Sequence, residues 1–332
     1  FKGGKILSNF LLALPPVKIL CLKIRFFLSS FASKSNSSPN INPRPFIFFM
    51  DLILYNPLSK NNKGNVQTHK LVRYYKKNNI PFRLKSIVKI SDMKAFLEEK
   101  QQYEKVILLG GDGTINRFVN NTFDYDIKQD IYLKKNGSGN DYLRSLKGND
   151  KLSQYIMEGT FDTGQKTHYI NAIGMGLDGY VGYLIENSKR KGKLRYFFNT
   201  LKGLVKYIPE PLNLIIDGEE FKFKKAYIVA MSNGKYFGGG MKVAPDGNIT
   251  DETLDILVLH TIKKILIFPI FLTIYLGKHR MFKKYVFYKK GKHIKASFTT
   301  PQIAQSDGET FYDVTTIETM SSKKQIHLKC YE

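Results

Sequence analysis

Cysteine is scarce in this chain of 332 residues. Only Cys21 and Cys330 occur, near opposite ends and with no metal-ligand spacing between them. The sequence therefore indicates neither a disulfide framework nor a zinc site, and a reducing cytoplasm is the compartment that fits best.

Acidic residues are missing from the first 49 positions, which carry seven Lys or Arg and begin at Phe1. Three interpretations are open for this segment: an acid-poor targeting peptide, a basic membrane-contacting leader, or a translated upstream region. We favour the third, a non-native or disordered leader over residues 1–49, because a clean strand pattern starts directly after Met50.

Long apolar runs are missing as well. Pro15, Pro16 and Lys18 interrupt the first segment, and Pro269 interrupts residues 265–272, before the ~20 apolar residues that a membrane-spanning helix needs. With Met50 as the start, we expect a protein without an export signal that stays in the cytoplasm.

Positive charge, in contrast, is abundant. The chain has 52 Lys plus Arg against 28 Asp plus Glu, a formal net charge of +24. This predicts an anionic partner, and a nucleotide, an acidic lipid surface and nucleic acid all remain open on charge alone. The length and the 42% hydrophobic content can supply two ordinary cores.

Two regions differ in their pattern. Residues 50–160 alternate short apolar runs with polar stretches of helical period, which predicts a Rossmann-like α/β nucleotide-binding domain with a parallel sheet. Residues 161–332 read as a β-rich second domain. Its strand-like runs cover residues 168–173, 212–216, 222–232, 253–259, 285–288, 293–299 and 325–329, and helical insertions are expected at 179–187 and 262–276. The last residues are free to rejoin the first domain.

Two glycine-rich loops follow short apolar runs in the first region, one after residues 106–109 and one after residues 131–133. Glycines let backbone N–H groups approach phosphate oxygens, and parallel α/β sheets bind ligands beyond the carboxyl ends of their strands. We therefore expect both loops to line one nucleotide cleft. The loops contain Gly110, Gly111, Asp112, Gly113, Thr114, Gly137, Ser138, Gly139, Asn140 and Asp141.

Further segments stand in the order of a known family. They are residues 54–59, the two loops, residues 171–178, residues 233–245 and Asp307-Gly308-Glu309. Together they resemble the catalytic domain of the diacylglycerol kinase family, which includes bacterial soluble diacylglycerol kinases and the sphingosine and ceramide kinases. The resemblance implies a β-sandwich-like second domain and an active site in the cleft between the two domains.

The resemblance also implies ATP as phosphate donor and Mg²⁺ as cofactor. Asp307 would be the general base that takes the proton of the lipid hydroxyl, with Glu309 beside it. Asp112 and Asp141 would hold Mg²⁺ through water, and Asp251 would bind a structural magnesium. The implied nucleotide-binding residues are Asn56, Ser59, Gly110, Gly111, Asp112, Gly113, Thr114, Asn116, Gly137, Ser138, Gly139, Asn140 and Asp141.

The chain departs from the family pattern at three places. Arg117 stands where the family commonly has Glu, and Lys135-Asn136 replace the usual proline and apolar residue before the second glycine loop. Glu252 stands where the family usually has Gly, which bears on the geometry of the structural magnesium.

Two motifs have competing interpretations. The tripeptide Asp-Gly-Glu occurs twice, and the copy at residues 217–219 lies between strand-like runs and predicts a plain hairpin. Residues 174–179 fit the dinucleotide pattern G-x-G-x-x-G, but no acid follows between Glu186 and Glu210 to hold a ribose. Arg190 or Arg195 could instead meet a 2′-phosphate, so an NADP-dependent reductase stays a weak alternative.

We predict an ATP-dependent lipid kinase that converts diacylglycerol to phosphatidic acid. The alternatives are a kinase for a sphingoid base, ceramide or another lipid alcohol, and a non-catalytic nucleotide-binding membrane protein. Residues 261–295 carry ten Lys or Arg and no acid, and with residues 189–193 they favour docking at the inner face of an anionic membrane. Nucleic-acid binding is disfavoured, and a homodimer remains open.

Overall fold

The first half of the fold is built on a parallel sheet of five strands, which lie in the order β14 (Leu328–Cys330), β4 (Asp130–Lys135), β3 (Lys105–Gly110), β1 (Asp51–Tyr55) and β2 (Phe82–Ser86). Its central strands β1 and β3 are buried along almost their whole length. Such continuous apolar strands are typical of parallel sheets covered on both faces. Strand β14 pairs with β4 in parallel.

Four helices accompany this sheet. The helices are α1 (Asn65–Lys77), α2 (Met93–Glu99), α3 (Asp112–Asn121) and α4 (Asp141–Leu146), and a 3₁₀ turn spans Ile87–Lys89. The Asp92 carboxylate caps α2 by accepting a hydrogen bond from the Ala95 N–H, which explains why this helix begins there. Helices α3 and α4 both begin directly beyond the carboxyl ends of β3 and β4.

The second half of the fold is an antiparallel sheet of nine strands. They are β5 (Gln154–Phe161), β6 (Lys166–Tyr169), β7 (Ala172–Gly176), β8 (Glu210–Ile216), β9 (Glu219–Ser232), β10 (Leu254–His260), β11 (Val286–Gly291), β12 (Ile294–Ser306) and β13 (Glu309–Ile326). Eight of them run in the order β11-β10-β9-β7-β12-β13-β5-β6, and β8 pairs with β9 and β12. Their inward side chains form one large apolar core.

Three helices lie on the second sheet: α5 (Leu177–Glu186), α6 (Lys193–Lys206) and α7 (Lys264–Tyr275), followed by a 3₁₀ turn at His279–Met281. Their apolar side chains share a core with strands β7, β9 and β10. None of the helices in the described ranges has the length and apolarity to cross a bilayer.

This computed structural model describes residues 50–59, 65–137, 140–188 and 193–331. The segment 1–49, for which we predicted a non-native or disordered leader, lies outside those ranges. So do Ser138, Gly139 and Arg190, while the side chain of Arg195 is likewise not described.

The predicted fold class, a parallel α/β region followed by a β-rich region, is confirmed. The strand predicted over residues 168–173 is in fact two strands, β6 and β7, separated by Ile170 and Asn171. Strands β2 and β5, most of strand β13 and helix α6 were not predicted. The sequence pattern did not predict most of strand β13 because its residues are largely polar. Only its pairing with β12 and β5 gives these residues a strand conformation.

Candidate active site

The N-terminus of α3 is open to an anion. Gly111 caps this helix without a side-chain hydrogen bond, so its first N–H groups have no intrahelical acceptor. A Cβ built on Gly113 would meet no atom within 4 Å, whereas one on Gly110 would lie 2.4 Å from the Thr114 Cβ. Gly113 thus leaves room beside the backbone, and Gly110 serves the packing of β3 against α3.

Asn56 joins the first loop to the start of α3. Its Nδ2 donates to the Thr114 Oγ1 at 2.8 Å, and its Oδ1 accepts from the Leu58 N–H at 3.0 Å. The Ser59 N–H donates to the Asn56 carbonyl at 3.3 Å. The structure therefore brings Asn56, Ser59 and Thr114 together, as the nucleotide-site prediction requires.

The Asp112 carboxylate caps helix α4. It accepts from the backbone N–H groups of Asp141 and Tyr142, each at 3.0 Å. Burial, and then the neighbouring charge of Asp141, raise the pKa of Asp112 to about 6. A negative charge at a helix N-terminus is stabilised, and here it also ties the first glycine loop to the second.

Asp141 connects the two halves of the fold. Its Oδ2 accepts from the Gly239 N–H at 2.7 Å, and its Oδ1 lies 3.4 Å from Arg144 Nη1. Burial raises the pKa of this carboxyl. The loop around Gly239, part of the family-like segment 233–245, is thereby held at α4. In the second loop, the Asn140 Nδ2 donates to the Gly137 carbonyl at 3.2 Å.

Asp307 lies where β7 meets the end of β12, and its carboxylate accepts four hydrogen bonds. The donors are the backbone N–H groups of Ile170 (2.7 Å), Asn171 (3.0 Å) and Ala172 (3.0 Å) and the Asn116 Nδ2 (2.9 Å). Burial raises the pKa of Asp307 despite these bonds, which act in the opposite direction. Its charge is also the smallest of the contributions that raise the pKa of Asp112.

The two Asp-Gly-Glu copies adopt the same turn. Asp217 and Asp307 have φ of 49° and 47°, and the glycines that follow have 88° and 94°. Positive φ at both central residues is typical of a two-residue hairpin. The Asp217 carboxylate, however, accepts from the Lys292 and His293 N–H groups at the surface, so the copies differ in their surroundings and not in their backbone.

Asn116 and Glu309 differ in their exposure and in their contacts. Asn116 is buried, and its Nδ2 donates to both Asp307 and the His168 carbonyl, so this amide contacts the predicted base. Glu309 is exposed at the first position of β13, beside the Asp307 turn. The departing residue Arg117 is also exposed, on the outer face of α3.

Two buried asparagines, Asn171 and Asn233, lie in segments that resemble the family, although the sequence pattern predicts no role for them. The Asn233 Nδ2 donates to the Tyr155 and Ile170 carbonyls, and the Asn233 N–H donates to the Asn171 carbonyl. They hold the break between β6 and β7 whose N–H groups surround Asp307. In the sequence, Asn171 stands just before one apolar run and Asn233 stands just after another. Periodicity alone interprets such polar residues as strand boundaries and gives them no further role.

Asp112 and Asp141 fit a divalent cation in part. The pKa values of both carboxyls are raised, mainly by burial, and the Asp112 carboxylate accepts from the backbone N–H of Asp141. The described residues contain no group of three or more His, Cys, Asp or Glu that could hold a metal ion by itself. A metal here would therefore need ligands from nucleotide phosphates or water, which is how Mg²⁺ is usually bound.

Asp251 stands in a separate turn. Its Oδ1 accepts from the Thr253 N–H at 2.8 Å and its Oδ2 from the Asn248 Nδ2 at 2.9 Å. The departing residue Glu252 pairs with Lys323 at 2.8 Å. The structural magnesium at Asp251 thus stays a prediction.

An apolar pocket lies beneath α5, α6 and α7 on the second sheet. Asp178 and His279 are the ionisable side chains among its lining residues. Burial lowers the pKa of His279 to about 4, so this imidazole is neutral near neutral pH. The apolar lining includes Leu204, Phe237, Met241, Ile267, Ile270 and Ile274.

Comparisons with known proteins match both halves of the fold. Residues 51–167 match the family described as the diacylglycerol kinase catalytic domain, and residues 171–323 match the family described as the YegS C-terminal NAD kinase beta sandwich-like domain.

Individual relatives carry related names. The Bacillus subtilis (strain 168) protein named "Putative lipid kinase YtlR" is 29% identical over 48% of this chain and 60% of its own length, so the chain spans less than two thirds of it. The diacylglycerol kinase of the same organism is 24% identical over 63% of this chain and 72% of its own length. A crystal structure of a diacylglycerol kinase from Bacillus anthracis str. Sterne has a TM-score of 0.57 at 19% identity, covering 84% of this chain and 96% of that one, and shows the same fold.

Proposed function

Because this chain belongs to the diacylglycerol kinase catalytic-domain family of lipid kinases, we propose that it transfers the γ-phosphate of ATP to the free hydroxyl of diacylglycerol, giving phosphatidic acid. The observation that carries this proposal is that the Asp112 carboxylate, in the glycine loop at the start of α3, accepts from the backbone N–H groups of Asp141 and Tyr142 at the start of α4, which joins the two glycine loops. Phosphoryl transfer asks little of a protein beyond positioning and charge stabilisation, which such a site supplies.

The ATP phosphates bind at the N-terminus of α3, where Gly111 and Gly113 give close access to backbone N–H groups. Asn56 and Thr114 shape the neighbouring wall of this site. Asp112 and Asp141 would hold Mg²⁺, which when bound neutralises phosphate charge.

Asp307 takes the proton. As the lipid oxygen forms its bond to the γ-phosphorus, the bond from that phosphorus to the bridging oxygen of ADP breaks, and the hydroxyl proton passes to the Asp307 carboxylate. Since that carboxylate already accepts four hydrogen bonds, one of them must give way to the substrate hydroxyl.

The apolar pocket under α5, α6 and α7 supports a lipid acceptor, since acyl chains require an apolar lining. Above it, α6 and α7 present an apolar face to solvent: Ile208 is 70% exposed and Ile265 is 81% exposed. We call this surface the α6–α7 face, comprising Val205, Ile208, Ile265, Leu272 and Leu276 with the nearby Lys202, Lys206, Lys263 and Lys264. The Lys264 Nζ donates to the Val205 carbonyl at 2.7 Å and joins the two helices.

The partner that fits the α6–α7 face is an anionic membrane surface. Residues 193–208 and 261–295 contain no acid, so apolar contact and charge attraction act in the same place. The enzyme would dock at the inner face of the membrane, where its substrate lies.

A second candidate is a non-catalytic nucleotide-binding membrane protein. The observation that favours it is the complete hydrogen bonding of Asp307, which a purely structural turn would also show.

Transfer of labelled phosphate from ATP to diacylglycerol, in mixed micelles with anionic phospholipid, tests the proposal. Wild type is compared with Asp307→Asn and with Asp217→Asn. The second variant carries the same substitution in the other Asp-Gly-Glu turn and is the matched control. We expect labelled phosphatidic acid from wild type and Asp217→Asn, and a loss of roughly 10²–10⁴-fold in Asp307→Asn.

Three other outcomes are informative. Product from a total lipid extract but not from diacylglycerol would keep the kinase and change its acceptor to another lipid alcohol. ATP binding without any phosphorylated lipid would favour the non-catalytic protein. Equal turnover by Asp307→Asn and wild type would remove Asp307 as the base.

A further inference from the structure

A cavity with charged walls lies on the parallel sheet, between the edge strand β2 and helix α2. We call it the β2–α2 cavity, and its volume is about 260 Å³. Its apolar floor consists of Leu52, Phe96 and Tyr103. Leu52 stands near the amino end of β1, and Tyr103 lies just before β3 begins. Since the glycine loops lie beyond the carboxyl ends of the strands, the cavity is at the opposite edge of the sheet from the predicted nucleotide cleft.

The strand register brings two cations of β2 to this cavity. Arg83 pairs with Leu52, and Lys85 pairs with Leu54, across the parallel strands β1 and β2. Paired residues of neighbouring strands point to the same face of a sheet, so both cations share the face on which these leucines pack against α2. A third cation, Lys100, stands at the carboxyl end of α2. All three cations line the cavity above its apolar floor.

These positive charges are only partly balanced. Lys100 forms an ion pair with Glu99, the carboxylate of the cavity wall. Within the part of the chain that the structure describes, Arg83 and Lys85 form no ion pair. The hydrogen bond and the charge of Lys100 lower the pKa of Glu99, and the charges of Arg83 and Lys85 act in the same direction. Three cations against one carboxylate leave two positive charges in excess, so the wall suits a ligand with two negative charges.

A phosphate monoester has the charge and the geometry that match this wall. It carries a charge of about −1.5 to −2 near neutral pH. The Arg83 guanidinium can donate two parallel N–H bonds to phosphate oxygens, and the Lys85 ammonium can add a further charge. The apolar floor adds a preference for a phosphate that is joined to a small aliphatic or aromatic body, since binding then removes apolar surface from water.

We propose that the β2–α2 cavity binds a phosphate monoester with a small apolar body, held at the phosphate by Arg83 and Lys85 and at the body by the apolar floor. A free phosphate ester and the head group of a lipid phosphate share this chemistry. The cavity is separate from the nucleotide cleft, so its ligand binds whether or not the chain phosphorylates lipids.

Calorimetric titration of the full chain with phenyl phosphate tests this site. Inorganic phosphate and phenol, the two parts of that probe, are titrated for comparison. We expect phenyl phosphate to bind about 10-fold or more tightly than either part, because inorganic phosphate lacks the apolar contact and phenol lacks the charge. No binding of phenyl phosphate to wild type would overturn the proposal.

Two double variants locate the binding. Arg83→Met with Lys85→Met removes two charges from the wall and keeps long side chains there, so the affinity for phenyl phosphate should fall by roughly 10-fold or more. Lys89→Met with Lys94→Met removes the same number of charges from exposed positions in and just before α2 that do not line the cavity. This matched control should bind as wild type does.

Full affinity in Arg83→Met with Lys85→Met would place the binding elsewhere and overturn the proposal. So would an equal loss of affinity in both double variants, since this would indicate attraction to the net charge of the chain. If the first double variant does not fold, Arg83→Gln alone, at an exposed position, should still weaken binding by roughly 5-fold.

Competition distinguishes the two sources of the phosphate. Dihexanoyl phosphatidic acid, added as a soluble lipid, should displace phenyl phosphate if the cavity takes a lipid head group. Failure of this lipid to displace the bound probe assigns the cavity to a free phosphate ester.

Discussion

Asn116 illustrates how a single side chain changes its interpretation once its neighbours are known. It lies within the first glycine loop motif, which made it a candidate for nucleotide contact. Its amide instead donates to Asp307 and to the His168 carbonyl, and Asn116 itself is 4% exposed. We therefore regard it as a positioning residue for the predicted base.

Kinetics distinguish the two roles of Asn116. In Asn116→Ala, Asp307 loses its side-chain donor, so we expect kcat to fall by roughly 10-fold or more while the KM for ATP stays within about 2-fold. The neighbouring exposed Arg117→Ala is the control and should change neither. A large rise in the KM for ATP with an unchanged kcat would restore the nucleotide-contact interpretation.

The raised pKa of Asp178 also predicts a pH dependence of stability. The ordinary pKa of 3.8 rises to about 7 in the folded protein, so the folded state binds this proton more tightly than the unfolded chain does. The resulting stabilisation is present below pH ~4 and is lost as the pH rises towards 7. Asp178→Asn has no such proton to lose.

Urea unfolding at pH 5 and pH 8 measures this effect. Relative to wild type, we expect the free energy of unfolding of Asp178→Asn to increase by about 1–3 kcal/mol between the two pH values. The comparison cancels the titration of other groups. The same difference between the two proteins at both pH values would contradict the expectation.

At the scale of elements, the contact of α5 with β12 depends on one glycine. A Cβ at Gly179 would meet the Ile303 backbone at 1.9 Å, and backbone atoms cannot yield as a flexible side chain can. In the same helix, a Cβ at Gly182 would have the Thr310 Oγ1 as its nearest neighbour, at 3.8 Å. The two glycines form a matched pair.

Alanine at these two positions should have opposite effects. We expect Gly179→Ala to lower the free energy of unfolding by about 1–3 kcal/mol or more, because α5 must move off the sheet. Gly182→Ala should be neutral or stabilising by up to ~1 kcal/mol, from helix propensity. Chemical denaturation of both variants measures this, and equal stability of the two would show that α5 adapts freely.

Some helices and strands could be predicted from the local sequence pattern, and others could not. Helix α5 and strands β8 to β11 followed from periodicity and turn residues, since these signals are carried by adjacent positions. The break at Ile170 and Asn171 did not, because the apolar run continues through it and only the carboxylate of Asp307 and the amide of Asn233 stabilise the turn.

For the molecule as a whole, charge and apolar exposure coincide at the α6–α7 face. Membrane binding through this face should fall when apolar side chains are removed and when salt screens the lysines. We expect Ile265→Ser combined with Leu272→Ser to weaken binding to phosphatidylglycerol vesicles by roughly 10-fold or more. Raising NaCl from about 0.05 M to about 0.5 M should weaken wild-type binding as well.

Vesicle cosedimentation provides the measurement, with neutral phosphatidylcholine vesicles for comparison. Leu152→Ser, which alters a leucine that is 56% exposed before β5, is the matched control and should bind as wild type does. Unchanged binding of the double variant would place the docking surface elsewhere.

The order of the two regions, the glycine loops beyond the parallel strands and the family resemblance all followed from the sequence, because periodicity and short motifs are properties of neighbouring residues. The contacts of each carboxyl were decided only by the tertiary structure. Asn116 and Asp307 are 191 positions apart, and Asp178 and Gln305 are 127 apart. Burial and hydrogen bonding at such separations depend on how the strands of both sheets assemble, so two identical Asp-Gly-Glu turns end in different surroundings.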